Sequence, residues 1–343
     1  KQRRLSDLNY LSVYTVERLK FFKSRIAVKR FFKGYALAQY PAHKAARLSI
    51  APMMDWTDRH CRYFHRLITK KALLYTEMIP AAALIQGKAL HLLDNNAEEE
   101  PVALQLGGSD PLVLAQAAKL GEAAGYNEIN LNVGCPSDRV QSGAFGAILM
   151  KNPELVADCC AAISDSINLE VTVKCRIGLD NQNPKEVLPY FISQVSSAGV
   201  SRFIIHARKA WLRGLSPKDN RNIPPLEYDI VHSVKAEFPN LHITLNGGVN
   251  SLEKAKVSLA TGIDGVMIGR AAYQRPFEIL AGIDEKIFGV AHKVDAFEVV
   301  HQILPYIECH LKAGGKLNAI TRHMLGLFNG RVGARMWRRV LSE

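Results

Sequence analysis

From Leu48 onward the chain alternates between short apolar, β-prone runs and longer stretches in which apolar residues recur at helical spacing. The runs are Leu48–Ala51, Leu73–Thr76, Val102–Leu106, Glu128–Asn132, Val171–Cys175, Arg202–His206, Ile243–Asn246 and Gly265–Ile268. Their length and composition predict strands. Between them, Pro111–Ala124, Pro153–Ile167, Pro184–Ala198 and Leu252–Ala260 are predicted helices. Three of these open on proline, whose fixed φ and missing N–H suit a first helical turn. Eight strands alternating with helices over roughly 230 residues predict an α/β fold, the (β/α)8 or TIM barrel. The alternative, a doubly wound sheet, needs fewer strands and an early Gly-rich dinucleotide turn. No G-x-G-x-x-G follows a strand here. After about Pro276 the strand texture ends, and Ala296–Lys312 and Leu317–Leu327 are predicted helices with a basic stretch beyond them. The expected organisation is a basic extension at 1–47, a barrel at 48–282 and a small helical domain at 283–343.

Charge changes the picture only at the start of the chain. The formal net charge is +12, but residues 1–47 hold 12 Lys/Arg against 2 Asp/Glu, while the remaining 296 residues hold 32 against 30. The basicity belongs mostly to the extension, so a polyanionic partner is only weakly implied for the whole molecule. Stretches such as Arg18-Leu19-Lys20-Phe21-Phe22-Lys23 can form an amphipathic basic helix. They fit an RNA-binding arm, a targeting segment, a membrane-surface helix or an unstructured leader.

There is no run of 18 or more apolar residues and no apolar core of a secretory signal. The six cysteines are scattered and form no C-x-x-C pair. This argues against a zinc site or a disulfide framework and for a reducing, cytoplasmic setting.

The densest signal is Leu131-Asn132-Val133-Gly134-Cys135-Pro136-Ser137, where a predicted strand breaks at glycine and proline and presents a thiol on the following loop. Taken alone, Cys135 is equally well a buried apolar cysteine. In a barrel, however, sites form at the C-terminal ends of the strands, and most of the other predicted strands also end in groups suited to chemistry. These are Pro52-Met53-Met54-Asp55, Gln105, Asn132, Val173-Lys174-Cys175-Arg176, Ile205-His206-Ala207-Arg208, Asn246-Gly247-Gly248 and Gly269-Arg270. Glycines after strands seven and eight permit close approach to phosphate oxygens, and Arg270 adds a charged donor. Gln105 and Asn132 can bond ring amides, Lys174 can stabilise charge on a reduced ring, and Pro52 and Met53 can cover its face. Those demands are met by FMN.

On these residues the chain resembles the tRNA-dihydrouridine synthases, most closely their A subgroup. The resemblance runs from about Leu48 to the end. It includes Ala51-Pro52-Met53-Met54-Asp55-Trp56-Thr57-Asp58-Arg59-His60, the Cys135 segment, Val173-Lys174-Cys175-Arg176-Ile177-Gly178 and His206-Ala207-Arg208-Lys209-Ala210-Trp211. It continues through Leu215-Ser216-Pro217-Lys218-Asp219-Asn220-Arg221, Asn246-Gly247-Gly248, Ile268-Gly269-Arg270 and Thr321-Arg322-His323-Met324-Leu325-Gly326-Leu327. It implies an FMN barrel with a helical RNA-binding domain, reducing the uracil C5–C6 bond at positions 20 and 20a of the tRNA D-loop with NADPH. By the same resemblance Cys135 is the proton donor. Pro52, Met53, Met54, Gln105, Lys174, His206, Asn246, Gly247, Gly248, Gly269 and Arg270 are flavin positions. Asn132, Lys218, Arg221, Arg335 and Arg338 meet tRNA. A monomer without metal or membrane partner is expected.

Two features depart from the family pattern. The family does not need the leader at 1–47, and relatives usually continue past the position of Glu343 with a last helix. Two other classes stay open on the residues alone. One is an FMN barrel acting on a free small molecule, which would not need the basic helical domain. The other is a non-catalytic RNA-binding protein, which would hold no flavin and tolerate Cys135→Ala.

Overall fold

The computed structural model describes residues 41–342. Most of the leader, residues 1–40, lies outside the described residues. The strands are β1 Leu48–Ile50, β2 Leu73–Pro80, β3 Val102–Gly107, β4 Glu128–Val133, β5 Glu170–Arg176, β6 Arg202–His206, β7 His242–Asn246 and β8 Gly265–Ile268. They form one closed parallel barrel in sequence order, with β8 paired back onto β1. The helices that follow the successive strands are α1 Arg59–Ile68, α2 Ala81–Ile85, α3 Pro111–Ala124, α4 Pro153–Ser164, α5 Pro184–Ser197, α6 Tyr228–Glu237, α7 Leu252–Ala260 and α8 Arg270–Gln274. The barrel predicted from the alternating texture is therefore the fold observed.

Local chemistry explains why these segments start and stop where they do. Asp110 accepts from the N–H groups of Leu112 and Val113, Pro111 opens the first turn of α3, and Gly125 ends the helix in the left-handed region at φ 91°. Asn152 and Asn183 do the same for α4 and α5 ahead of Pro153 and Pro184. The buried face of α3 carries Leu114, Ala117, Ala118 and Gly121. A Cβ on Gly121 would sit 2.5 Å from Leu104 Cδ2, so a larger residue there would push α3 off β3.

Period-two alternation sorts each strand into an outward and an inward row. Outward residues such as Leu104, Ile129, Leu131, Val173 and Ile205 are fully buried under the helices. Each contributes about 1.5–3 kcal/mol of burial free energy. The inward row is mixed. A small apolar cluster including Tyr75, Ala103, Ile204 and Met267 shares the barrel interior with Gln105, Asn130, Asn132, Thr172 and Thr244. These polar positions rise in register toward the C-terminal mouth.

Two segments differ from expectation. β2 runs on to Pro80 through an irregularity between Tyr75 and Met78, where the Thr76 hydroxyl accepts from Gln105 N–H. Leu317–Leu327 is not a continuous helix: only Asn318–Thr321 is helical, and turns follow. Tertiary demands override helical spacing there. Arg322 and His323 both reach Asp58 on the barrel, and Gly326 lies so close to the Gln274 carbonyl that an added Cβ would collide with its oxygen. The helix Ala296–Lys312 packs on α1 through Tyr306, which stacks on Tyr63 and bonds His60 at 2.7 Å.

Candidate active site

The inward-facing strand ends converge at the mouth of the barrel. Lys174 on β5 lies opposite Asn132 on β4 in register, and His206 on β6 lies opposite both Arg176 and Asn246. Lys174 Nζ donates to Asn246 Oδ1 at 2.9 Å, and Asn246 Nδ2 donates to the Met267 carbonyl. Burial and the neighbouring Arg176 pull the Lys174 ammonium down to about 7. Burial, followed by the charges of Arg176 and Lys174, holds His206 well below the usual imidazole range, so it is neutral at pH 7.

Cys135 sits half-buried just beyond β4. The Asn132 carboxamide oxygen accepts from Gly134 N–H at 3.1 Å and from Cys135 N–H at 3.0 Å, an Asx turn that sets the loop. The Cys135 carbonyl accepts from Ala147 N–H, and the thiol lies 3.5 Å from the Ser137 hydroxyl. Arg176 reaches across from β5 to bond the carbonyls of Gly134, Lys209 and Asn220, joining the loops after β4 and β6.

The turn after β7 requires glycine. Gly247 and Gly248 have φ of 110° and 66°, and a Cβ on Gly248 would collide with Leu226 Cδ1. Tyr228 and Lys254 occupy the two glycine carbonyls. A Cβ on Gly269 would meet Ala51 and Met53 in ordinary van der Waals contact, no closer than 3.6 Å. Pro52 and Met53 are half-buried beside it, whereas Met54 is 54% exposed. Arg270 donates to Asn222 Oδ1 and the Arg221 carbonyl, which fixes the loop bearing Lys218 and Arg221 beside the mouth. Arg335 and Arg338 stand apart from this cluster. They are exposed on the helix Ala334–Ser342, which Trp337 anchors through Nε1 to the Met324 carbonyl.

Two features of this cluster are left uncompensated by the protein's own groups. His206 Nδ1 and Arg208 Nε are buried with no hydrogen-bond partner, an arrangement that costs free energy unless something else satisfies them. Burial first, and then neighbouring arginines, disfavour the charge of Arg176, Arg208 and Arg221: Arg221 and Arg208 act on Arg176, and Arg270 acts on the other two. An anionic group relieves that repulsion. A phosphorylated cofactor with a planar, amide-bearing ring, such as FMN, fits both. Gln105, Asn132, Lys174 and His206 face the interior, and the glycine turns and arginines gather at one side.

Sequence reasoning assigns no role to Arg176 and Arg208, although both stand in the motifs at the ends of β5 and β6. The signal that finds them is alternation, since each lies two residues after an inward residue, Lys174 or His206. Ser137, beside the thiol, escapes in the same way. Among the described residues, no cluster of three His, Cys, Asp or Glu side chains is arranged to hold a metal ion, and no helix is long and apolar enough to cross a membrane.

Residues 49–343 match the family model of dihydrouridine synthase. A tRNA-dihydrouridine(20/20a) synthase of Escherichia coli (strain K12) is 59% identical over 88% of this chain and 87% of its own. Proteins of the same name from Vibrio parahaemolyticus and Shewanella oneidensis are 58% and 57% identical, covering 87% and 86% of this chain and 91% and 88% of theirs. A structure of morphinone reductase in complex with tetrahydroNAD is similar at TM-score 0.48 and 11% identity, over 74% of this chain and 90% of that one.

Proposed function

The chain belongs to the dihydrouridine synthase family, and from that premise we propose that it reduces the C5–C6 double bond of uridine in the tRNA D-loop to 5,6-dihydrouridine. The proposed positions are 20 and 20a, following the names of the relatives. The observation that carries the reading is the Cys135 loop, set by Asn132 just beyond β4, at the same barrel mouth where the buried atoms His206 Nδ1 and Arg208 Nε lack partners.

In this reading Gln105, Asn132, Lys174 and His206 bind the ring of FMN, with Pro52 and Met53 against its face. Gly247, Gly248, Gly269, Arg208 and Arg270 take its phosphate. FMN held by these residues would supply hydride chemistry toward uracil C6, with NADPH as the reductant. Negative charge then develops across C5, C4 and O4 of the base. Cys135 protonates C5, leaving a thiolate that solvent reprotonates. A thiol held within reach of the base carries the proton that a general acid must deliver. His206, held neutral by its surroundings, can offer an N–H to the developing charge without giving up a proton.

The target base must leave its stack to enter such a pocket. Lys218 and Arg221 beside the mouth, with Arg335 and Arg338 on the helical segment 283–343, supply the phosphate contacts that hold the surrounding RNA. A cytoplasmic monomer is the accompanying expectation.

The test is nucleoside analysis of unmodified tRNA after incubation with the protein, FMN and NADPH. Dihydrouridine at positions 20 and 20a is the expected product. A yellow protein that oxidises NADPH yet forms no dihydrouridine would overturn the tRNA reading.

A further inference from the structure

The Asn132 carboxamide that sets the Cys135 loop is not an isolated group. Its Nδ2 donates to Gln105 Oε1 at 2.8 Å, Gln105 Nε2 donates to Asn130 Oδ1 at 2.8 Å, and Asn130 Nδ2 donates to Thr172 Oγ1 at 2.8 Å. The Thr172 hydroxyl donates onward to Glu128 Oε1 at 2.6 Å. Glu128 also accepts from the Tyr75 hydroxyl and pairs with Arg202, which pairs in turn with Glu170. Gln105, Asn130, Thr172 and Glu128 are each at most 1% exposed. The file follows the barrel interior from the floor to the mouth, along about 13 Å of β4.

Its direction is determined from both ends. At the top, two backbone N–H groups can only donate, so Asn132 must present its oxygen to them and its NH2 downward. At the bottom, a carboxylate can only accept, so the Thr172 hydroxyl must donate to it and take the Asn130 amide as its own donor. Every carboxamide between is left with one orientation. Reversing any one would set two donors or two acceptors against each other among side chains buried from bulk solvent.

We propose that Thr172 and Glu128 are positioning residues for the reaction, which fix the carboxamide orientations of Asn130, Gln105 and Asn132 and thereby the Cys135 loop. Neither touches the substrate pocket. The proposal rests on the functional reading above only for its catalytic consequence. The mechanical consequence belongs to the protein alone.

The experiment is amide hydrogen exchange of the ligand-free protein at Gly134 and Cys135, in wild type, Thr172→Val and Thr172→Ser. Thr172→Val removes the relay hydroxyl at nearly constant volume. Exchange at these two amides is expected to rise about tenfold, with helix α3 unchanged. Thr172→Ser loses a methyl but keeps the hydroxyl, and should return to within about twofold of wild type. With the loaded enzyme, Thr172→Val should lower kcat about tenfold while leaving KM for tRNA within about twofold. Wild-type exchange in Thr172→Val, or equal acceleration in the Val and Ser variants, would overturn the proposal. If Thr172→Val does not fold, Thr172→Cys replaces it, because a thiol of serine's shape is a much weaker donor and acceptor. Cys and Ser variants that exchange alike would overturn the proposal equally. Absence of dihydrouridine from the wild type would sink the functional reading and leave the exchange result to decide this one.

Discussion

Asp58 and His323, 265 residues apart in the chain, meet at 3.0 Å where the loop after β1 touches the helical segment. Asp58 also caps α1 through the N–H groups of His60 and Cys61 and pairs with Arg322. His323 lies against the Tyr273 hydroxyl on its other side, and Tyr273 stacks on Trp56. One carboxylate thus joins the start of a barrel helix, the loop that carries Pro52 and Met53, and the segment leading to Arg335 and Arg338. Burial acts to raise the Asp58 pKa, but His323, the Cys61 N–H and Arg322 outweigh it and hold it below the usual carboxylate range.

Asp58→Ala should therefore destabilise the protein by about 2 kcal/mol, from the lost cap and charge-assisted bonds. Asp58→Asn should cost less because asparagine still caps. A folded-state pKa below the unfolded value gives stability that is present above about pH 4 and is lost as pH falls further. Thermal melts across that range should show wild type converging on the variant in acid.

Cys135→Ala should lower dihydrouridine formation by at least about 100-fold. Flavin content and NADPH-dependent flavin reduction should be retained, since the thiol is assigned only to protonation of the base. Single-turnover reduction of tRNA by the prereduced enzyme separates these steps. Product formation at the wild-type rate would remove Cys135 from the mechanism.

The depressed pKa of Lys174 has consequences of opposite sign for folding and binding. Between about 7 and about 10.5 the unfolded chain holds a proton that the folded protein does not, so stability contributed by this group rises with pH across that window. Lys174→Met should therefore melt higher than wild type at neutral pH when free of ligand. An anionic cofactor favours the charged ammonium, so FMN affinity of wild type should fall as pH rises through about 7. The variant should bind weakly and show a flatter profile in fluorescence titrations.

Gly248→Ala forces a side chain into the left-handed region and against Leu226. A loss of about 1–2 kcal/mol in stability is expected from the backbone alone. Flavin content after purification should fall with it. Undiminished flavin content would show that this turn does not shape the phosphate side of the pocket.

Arg335→Ala and Arg338→Ala should weaken tRNA binding and reduce the slope of log affinity against log salt by about one per phosphate contact removed. NADPH oxidation in the absence of tRNA should not change, because neither side chain belongs to the pocket. The same slope in wild type and the double variant would free these arginines from any RNA role.

Much of the fold is legible in the chain alone. Proline and Asx or serine residues at helix starts mark where helices begin, and all eight strands fall where apolar, β-prone runs predict them. Alternation along β4 and β5 also implies that Glu128, Asn130 and Asn132 share a face, as do Thr172, Lys174 and Arg176. Leu317–Leu327 escapes this kind of reading because helical spacing reports a local preference. That preference loses to the contacts of Arg322, His323 and Gly326 with distant parts of the barrel.

The sequence by itself determined which residues of a regular strand share a face, because an uninterrupted strand has a period of two. It did not determine which inward residues meet. That depends on how eight strands stagger when the sheet closes, a property of the whole ring. The register of neighbouring strands brings Gln105 to Asn130 and Asn132 and Thr172 to Glu128, and the curvature of the closed sheet brings Lys174 on β5 to Asn246 on β7. The same tertiary packing leaves His206 Nδ1 and Arg208 Nε buried without partners at the mouth.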